Sequence, residues 1–294
     1  MKTNKILINS LLVLTIVLAS CKDSFLEVDP PTQTTIQEYY TTQEHVYQAL
    51  IATYDPLEWP DWAMGQYNPV NIMPGSDWEY QIANPGFVNN ELQYYVAGVT
   101  STGDTLAAIT DGTLKLKTKK INENVYSIRM YGKKSTGWKY GYIEARIKLP
   151  KGKGTWPAFW MMPVNYTAWP DDGEMDIMEE VGYNPNVIVS SLHAKNHYGS
   201  NPKSGNTTCA TSQTEFHKYA MEWTSSTIKF YLDDKVFYSY NNPGTGSGDW
   251  PYDAAFYVIL NMAWGGNWGG AQGVDEGSLP TTYEIDYVRV FQKQ

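Results

Sequence analysis

From about Glu79 to the C terminus the chain is a succession of short strand-like runs, and this constrains its fold more than any other feature. LAAIT and TLKLK flank Asp111-Gly112, a tight-hairpin pair. The further runs are YSIRMYG (126–132), YGYIEARIKL (140–149), TWPAFWMM (155–162), EMDIM (174–178), VIVSSLH (187–193), FHKYAMEW (216–223), TIKFYLDDKVFYSY (227–240), AFYVILNMAW (255–264) and YEIDYVRVF (283–291). Gly, Pro and Asn punctuate them, and no helical period intervenes. Such strands bury one another only as packed sheets. The pattern therefore predicts an all-β protein, an antiparallel sandwich of jelly-roll type. A chain of 294 residues can build that core as one large β-domain.

The N-terminal stretch is of a different kind. Lys2 and Lys5 precede an apolar stretch over residues 6–19, too short to span a bilayer and typical of an export signal. It closes on Leu18-Ala19-Ser20-Cys21, which resembles a bacterial lipobox, implying cleavage before Cys21 and a lipid on its sulfur. Loss of residues 1–20 takes two Lys and no acid from the formal charge of −9, leaving −11. With no block of Lys or Arg, binding to a phosphate backbone is excluded. Cys209 would then be the only free cysteine, so no disulfide is expected. Residues 21–78 read as a Pro-rich leader with one helix. Thr41-Thr42-Gln43-Glu44 forms a capping box, Val46, Tyr47, Leu50, Ile51 and Tyr54 share a face, and Asp55-Pro56 ends it.

The segment richest in chemistry is Asp171-Asp172-Gly173-Glu174-Met175-Asp176-Ile177-Met178-Glu179-Glu180. In a strand Glu174 and Asp176 share one face, while Met175 and Ile177 take the other. One extra residue at Ile177-Met178, a β-bulge, returns Glu179 to the face of Glu174 and Asp176. No Lys or Arg occurs between Lys153 and Lys195 to neutralise the three locally. A solvated acidic face and a calcium site are both open readings of such a run. Acid–base work on a glycoside is the third. Retention needs a nucleophilic carboxylate and a protonated acid roughly 5–5.5 Å apart, and long Glu side chains leaning over a shorter Asp suit that geometry. The chain also holds 11 Trp and 23 Tyr against 8 Phe, an excess of amphipathic rings suited to sugar faces or a protein interface. In TWPAFWMM, Trp156, Ala158 and Trp160 share one face, so both indoles are either platforms for a sugar or plain core.

GEMDIME (173–179) resembles the signature of glycoside hydrolase family 16 in its bulged E-x-D-x-x-E form. NNELQYY (89–95), DGTLKLKTKK (111–120), YGYIEARIKLPKGKGTWPAFWMMP (140–163), SLH (191–193), FHKYAMEW (216–223), ILNMAWGGNWGG (259–270) and YEIDYVRVFQ (283–292) are similar, in order, to laminarinase-type endo-β-1,3-glucanases. The resemblance implies a concanavalin A-like jelly roll over residues 79–294. It implies retaining hydrolysis of internal bonds in β-1,3-linked glucans, laminarin or mixed-linkage, with no cofactor needed for catalysis. Glu174 would be the nucleophile, Glu179 the general acid/base and Asp176 the group between them. Asn90, Arg129, Trp156, Trp160, His193, Asn261, Trp264 and Gln272 would touch sugar or support the carboxylates. Gly112 and Asp286 resemble contributors to a structural calcium site on the convex side.

Two departures accompany the likeness. The strand carrying Asp-Glu-Phe that usually precedes NNELQYY is missing. In its place CKDSFLEVDPP (21–31) and EYYTTQEHVYQALIATYDPL (38–57) resemble the start of SusD-like lipoproteins, partners of TonB-dependent transporters. The expectation is a monomeric, surface-exposed outer-membrane lipoprotein with a β-glucan as its partner, anchored through Cys21 and possessing no nucleic-acid partner. A non-catalytic glycan-binding lipoprotein on the same scaffold is the alternative.

Overall fold

The structure is a computed structural model that describes residues 68–70, 78–80, 94–95, 106–132 and 137–292. The chain divides into two units, Met1–Thr41 and Thr42–Gln294, and every described residue belongs to the second. Cys21, the expected helix over residues 42–54 and Asn90 lie outside the described residues.

The strands are β1 (Asn68–Val70), β2 (Trp78–Tyr80), β3 (Tyr94–Tyr95), β4 (Ala107–Thr110), β5 (Thr113–Ile121), β6 (Asn124–Ser127), β7 (Arg129–Gly132), β8 (Gly141–Lys148) and β9 (Thr155–Pro163). They continue as β10 (Glu174–Glu179), β11 (Val187–His193), β12 (Lys203–Thr208), β13 (His217–Trp223), β14 (Thr227–Leu232), β15 (Lys235–Asn241), β16 (Phe256–Trp264) and β17 (Thr281–Gln292). A short helix, α1 (Gly266–Gly269), follows β16. The ten-stranded sheet runs β15-β14-β13-β8-β17-β5-β6-β3, with β1 on β17 and β4 on β5; the seven-stranded sheet runs β12-β11-β10-β9-β16-β7-β2.

Alternation along each strand builds the core between the sheets. Phe159, Met161, Met175, Val258, Leu260 and Met262 come from the seven-stranded sheet, and Ile143, Tyr219, Met221, Phe230 and Val290 from the other; all are buried in one cluster. Each such side chain contributes about 1.5–3 kcal/mol relative to exposure. The all-β sandwich read from the sequence is thus the fold.

The boundaries differ from the sequence reading in four places, each for a local reason. YSIRMYG splits at the buried Ile128, where the chain passes from β6 in one sheet to β7 in the other. TIKFYLDDKVFYSY is a hairpin, because Asp233 and Asp234 both adopt left-handed conformations, φ 46 and 66, as a tight two-residue turn requires. Lys203–Thr208 forms an edge strand beside β11 although it has no apolar alternation. The 78/79 domain boundary must also move. Asn68–Val70, assigned to the leader, pairs with Val290–Gln292 of β17, and Trp78–Tyr80 pairs with β7. The β-domain therefore begins no later than Asn68. Pro69 is tolerated because β1 is an edge segment.

The exit from β10 is fixed by a close backbone contact. Gly182 N–H donates to Thr155 O at 2.8 Å, and a Cβ at Gly182 would strike the Gly152 carbonyl and Thr155 Oγ1. Gly182→Ala is expected to lower unfolding stability by about 1–3 kcal/mol, read from the urea midpoint. An unchanged midpoint would mean the turn yields freely.

Candidate active site

The site is built on β10. Against β9, Asp176 is paired with Trp160 and Met178 with Phe159, so two steps along β10 oppose one along β9. Against β11 the same irregularity falls between Asp176–Ser191 and Glu179–Val189. Ile177 is the extra residue. Met175, Ile177 and Met178 all enter the core, while Glu174, Asp176 and Glu179 share the opposite face. The Ser190 hydroxyl donates to the Ile177 carbonyl at 2.7 Å, occupying an acceptor that the interrupted ladder leaves at the bulge.

The three carboxylates sit in unlike surroundings. Glu174 is half-buried and its Oε2 accepts from the Trp169 indole at 2.6 Å. Asp176 is buried, shares a hydrogen bond with Glu174, and faces His193 Nε2 at 3.1 Å. Burial first, and then the charge and hydrogen bond of Glu174, hold Asp176 well above the usual carboxylate range. Glu179 is buried too, and its Oε1 accepts from the Trp156 indole at 2.8 Å. Burial, and then the Asp176 charge, push its carboxyl well up against the opposing pull of the Trp156 N–H. The arrangement suits Glu179 to give a proton, while Glu174 accepts from the Trp169 indole in more open surroundings. This argues against the solvated acidic face.

The expected rings take different positions. Trp156, Ala158 and Trp160 lie on the carboxylate face, since Ala158 is paired with Glu179 and Trp160 with Asp176. Trp156 meets Trp268 edge-on at 5.4 Å. Trp160 is buried, donates to Asn261 Oδ1 at 2.6 Å, and has the Arg129 guanidinium 5.3 Å above its ring. Arg129, Trp160 and Asn261 thus form the floor beside the carboxylates. Trp264 is not brought to them. It is in phase with Leu260 and Met262, and its buried ring approaches Gly154. Asn261 and Ala263 are the β16 residues on the carboxylate face. Gln272 is exposed in the turn after α1.

Trp169, Tyr198 and Trp268 were absent from the sequence-derived set. Trp169, 37% exposed, lies 6.0 Å from His193 and edge-on to Tyr198 at 5.6 Å. Its loop is held by the Asp172 carboxylate, which accepts from Thr167 N–H, Thr167 Oγ1 and Ala168 N–H at 2.6–2.7 Å. The available signal was an aromatic residue next to Pro170 in the turn leading directly into Glu174.

Gly112 occupies the β4–β5 turn at φ 78, and Asp286 accepts from Arg146 Nη1 at 2.6 Å. A guanidinium already neutralises the one carboxylate of that pair, so these residues do not fit a calcium ion.

A row of carboxylates, two of them buried, with flanking indoles on a jelly-roll sheet is a constellation suited to cleaving carbohydrate. Residues 95–289 match the model for glycosyl hydrolases family 16, and the chain belongs to that family. It is 38% identical over 250 residues to a β-glucanase of Rhodothermus marinus, covering 80% of this chain and 85% of that one. The solved laminarinase from Rhodothermus marinus superposes with a TM-score of 0.69 at 35% identity, over 78% of this chain and 94% of that one. A keratan-sulfate endo-1,4-β-galactosidase of Sphingobacterium multivorum is 30% identical over 99% of this chain and 68% of its own length.

Because the folded pKa of Glu179 lies above its unfolded value, its contribution to stability is full below the unfolded pKa and is lost as pH rises through the folded one. Glu179→Gln keeps an acceptor for Trp156 and cannot ionise. It is expected to melt above the wild type, by a margin that widens from acid to neutral pH. A constant or negative margin would show that Glu179 is not strained by burial.

Proposed function

We propose that this chain is a retaining endo-β-glucanase that cleaves internal bonds of β-1,3-linked glucans, laminarin or mixed-linkage. The observation that carries this reading is the bulge, which sets Glu174, Asp176 and Glu179 on one face with Glu179 buried and its carboxyl held well above the usual range. The β-glucanase and laminarinase relatives support the substrate class. About four strand steps, roughly 13 Å of backbone, separate the two Glu, and their side chains must lean together across Asp176 to reach one sugar. Glu179 gives its proton to the departing glycosidic oxygen while Glu174 attacks the anomeric carbon. Glu179, now ionised, then takes a proton from the water that releases the glycosyl ester. Trp156 and Trp169 place an indole N–H on each glutamate and keep their ring faces for sugar. The three intact carboxylates speak against the glycan-binding alternative.

The lipobox supports acylation at Cys21 and an outer-membrane, surface-exposed location. The likeness of the leader to SusD-like proteins supports operation beside a TonB-dependent transporter.

The test is hydrolysis by the purified mature chain of laminarin, mixed-linkage glucan, agarose and keratan sulfate, the last because that relative matches the chain end to end. Cleavage of the β-1,3-linked glucans is expected. Glu174→Gln and Glu179→Gln should each lower the rate by about 100- to 10,000-fold while polysaccharide still binds in affinity electrophoresis. Full activity in either variant, or cleavage of keratan sulfate alone, would overturn the reading.

A further inference from the structure

The outward face of the ten-stranded sheet points away from the core, yet one strip of it is as dry as the core itself. Along β8, Ile143, Ala145 and Ile147 enter the core, so Tyr142, Glu144, Arg146 and Lys148 take the outward face. Ala220 of β13, Tyr231 of β14, and Arg289 and Phe291 of β17 share that face. Tyr142, Ala220 and Phe291 are buried in a cluster of their own, with Tyr231 packed against it. The Tyr142 ring meets Tyr231 at 5.6 Å and Phe291 at 6.1 Å, both edge-on. Glu144 lies beside them, 3.5 Å from both Lys218 Nζ and Arg289 Nη1. Burial raises the Glu144 carboxyl despite these two cations, and it raises the Tyr142 phenol as well.

The dryness is local. In order along one face of β8, the side chains of Glu144, Arg146 and Lys148 are 4%, 43% and 33% exposed. The contacts described for the strip run sideways along the sheet, ring to ring and ion to ion. Sideways contacts leave the top of a sheet face open to water, whereas a layer packed over it excludes water. The strip lies where the chain enters the sheet. Pro69 of β1 is opposite Phe291, and Phe291 is opposite Tyr142. The chain before Asn68 therefore meets the β-domain at this strip, and Thr42 onward belongs to the same compact unit as the strands. Its sequence supplies the apolar stripe of Val46, Tyr47, Leu50, Ile51 and Tyr54, which a lone helix cannot bury. Residues 42–67 also hold Glu44, Asp55, Glu58 and Asp61 but no Lys or Arg, so they bring no like charge against Lys218 and Arg289.

We propose that residues 42–57 are a third layer of the β-domain, a helix laid across the outward face of β17, β8, β13 and β14 with its apolar stripe on Tyr142, Ala220, Tyr231 and Phe291. The lengths agree. Four neighbouring strands span roughly 15 Å, and a helix over residues 42–54 runs roughly 20 Å. At roughly 3.3–3.6 Å per extended residue, residues 58–67 reach from β1 to any point of the strip. The chain toward Cys21 then departs from the ten-stranded sheet, whereas Glu174 and Glu179 lie on the outward face of the seven-stranded one. In a chain acylated at Cys21, as proposed above, the carboxylates face away from the anchor.

Two measurements on the mature chain, residues 21–294, test the proposal. With p-benzoylphenylalanine in place of Tyr231, half-buried at the rim of the strip, irradiation should cross-link the chain to itself, with the captured peptide inside residues 42–57. A cross-link between two chains would make the strip a dimer face. One to residues 71–105, or to neighbouring strands alone, would mean another cover or none. Each of these overturns the proposal. The second measurement is a double-mutant cycle on thermal melting. Leu50→Ala and Tyr142→Leu should each lower the midpoint by several degrees, and together by clearly less than the sum, because both remove the same contact. Each variant should keep a single cooperative melt and its glucan hydrolysis, since neither residue lies on the carboxylate face. Where Tyr142→Leu does not fold, Phe291→Leu takes its place in the cycle. Additive losses, or a Leu50→Ala chain that melts like the wild type, would overturn the proposal and leave the glucanase reading untouched.

Discussion

The site depends on one interrupted ladder. A regular strand would turn Glu179 into the core and bring Met178 out beside Asp176. The extra residue at Ile177 exchanges them, and both neighbouring strands register the shift. The exchange is stabilised from both sides. Ile177 and Met178 are buried in the core cluster, and the Ser190 hydroxyl satisfies the Ile177 carbonyl. Slipping back to a regular ladder would bury a carboxylate among methionines, which costs several kcal/mol for an unpaired charge. The apolar pattern therefore defends the bulge as firmly as the hydrogen bonds do.

That geometry places acids where water is scarce. Asp176 and Glu179 are both held well above the usual carboxylate range, chiefly by burial. Such a face costs stability, and the large core between the sheets offsets it. The polar supports are distributed along the row. Trp169 donates to Glu174 and Trp156 to Glu179, while Asp176 between them has His193 Nε2 at 3.1 Å and an Oδ2 without a hydrogen-bond partner among the described residues. Unlike surroundings thus give chemically similar groups different tasks.

Much of this was legible in the sequence because strands alternate strictly. The sandwich, the shared face of Glu174 and Asp176 and that of Trp156 and Trp160 follow from periods of two, and the bulge is the one break in that period that brings Glu179 to the same face. Trp264 is one step out of phase with Asn261, an offset that the same alternation along β16 encodes. Features set by tertiary contact were hidden. β1 is three residues with a proline, visible only through its pairing with β17. β12 is a polar edge whose partner alone makes it a strand. Trp169 reaches Glu174 because Asp172 closes a loop, which no periodicity encodes. Arg146 meets Asp286 through a pairing 140 residues apart in sequence.

The central claim is that the bulge makes Glu174 and Glu179 partners in a double displacement. Proton NMR of the first sugar ends released from laminarin tests it most directly, because each displacement inverts the anomeric centre and only two restore it. The account predicts that the β-anomer appears first and the α-anomer grows in only by mutarotation. An α-anomer present from the outset would mean a single displacement by water, and the partnership that the bulge creates would not be the one described.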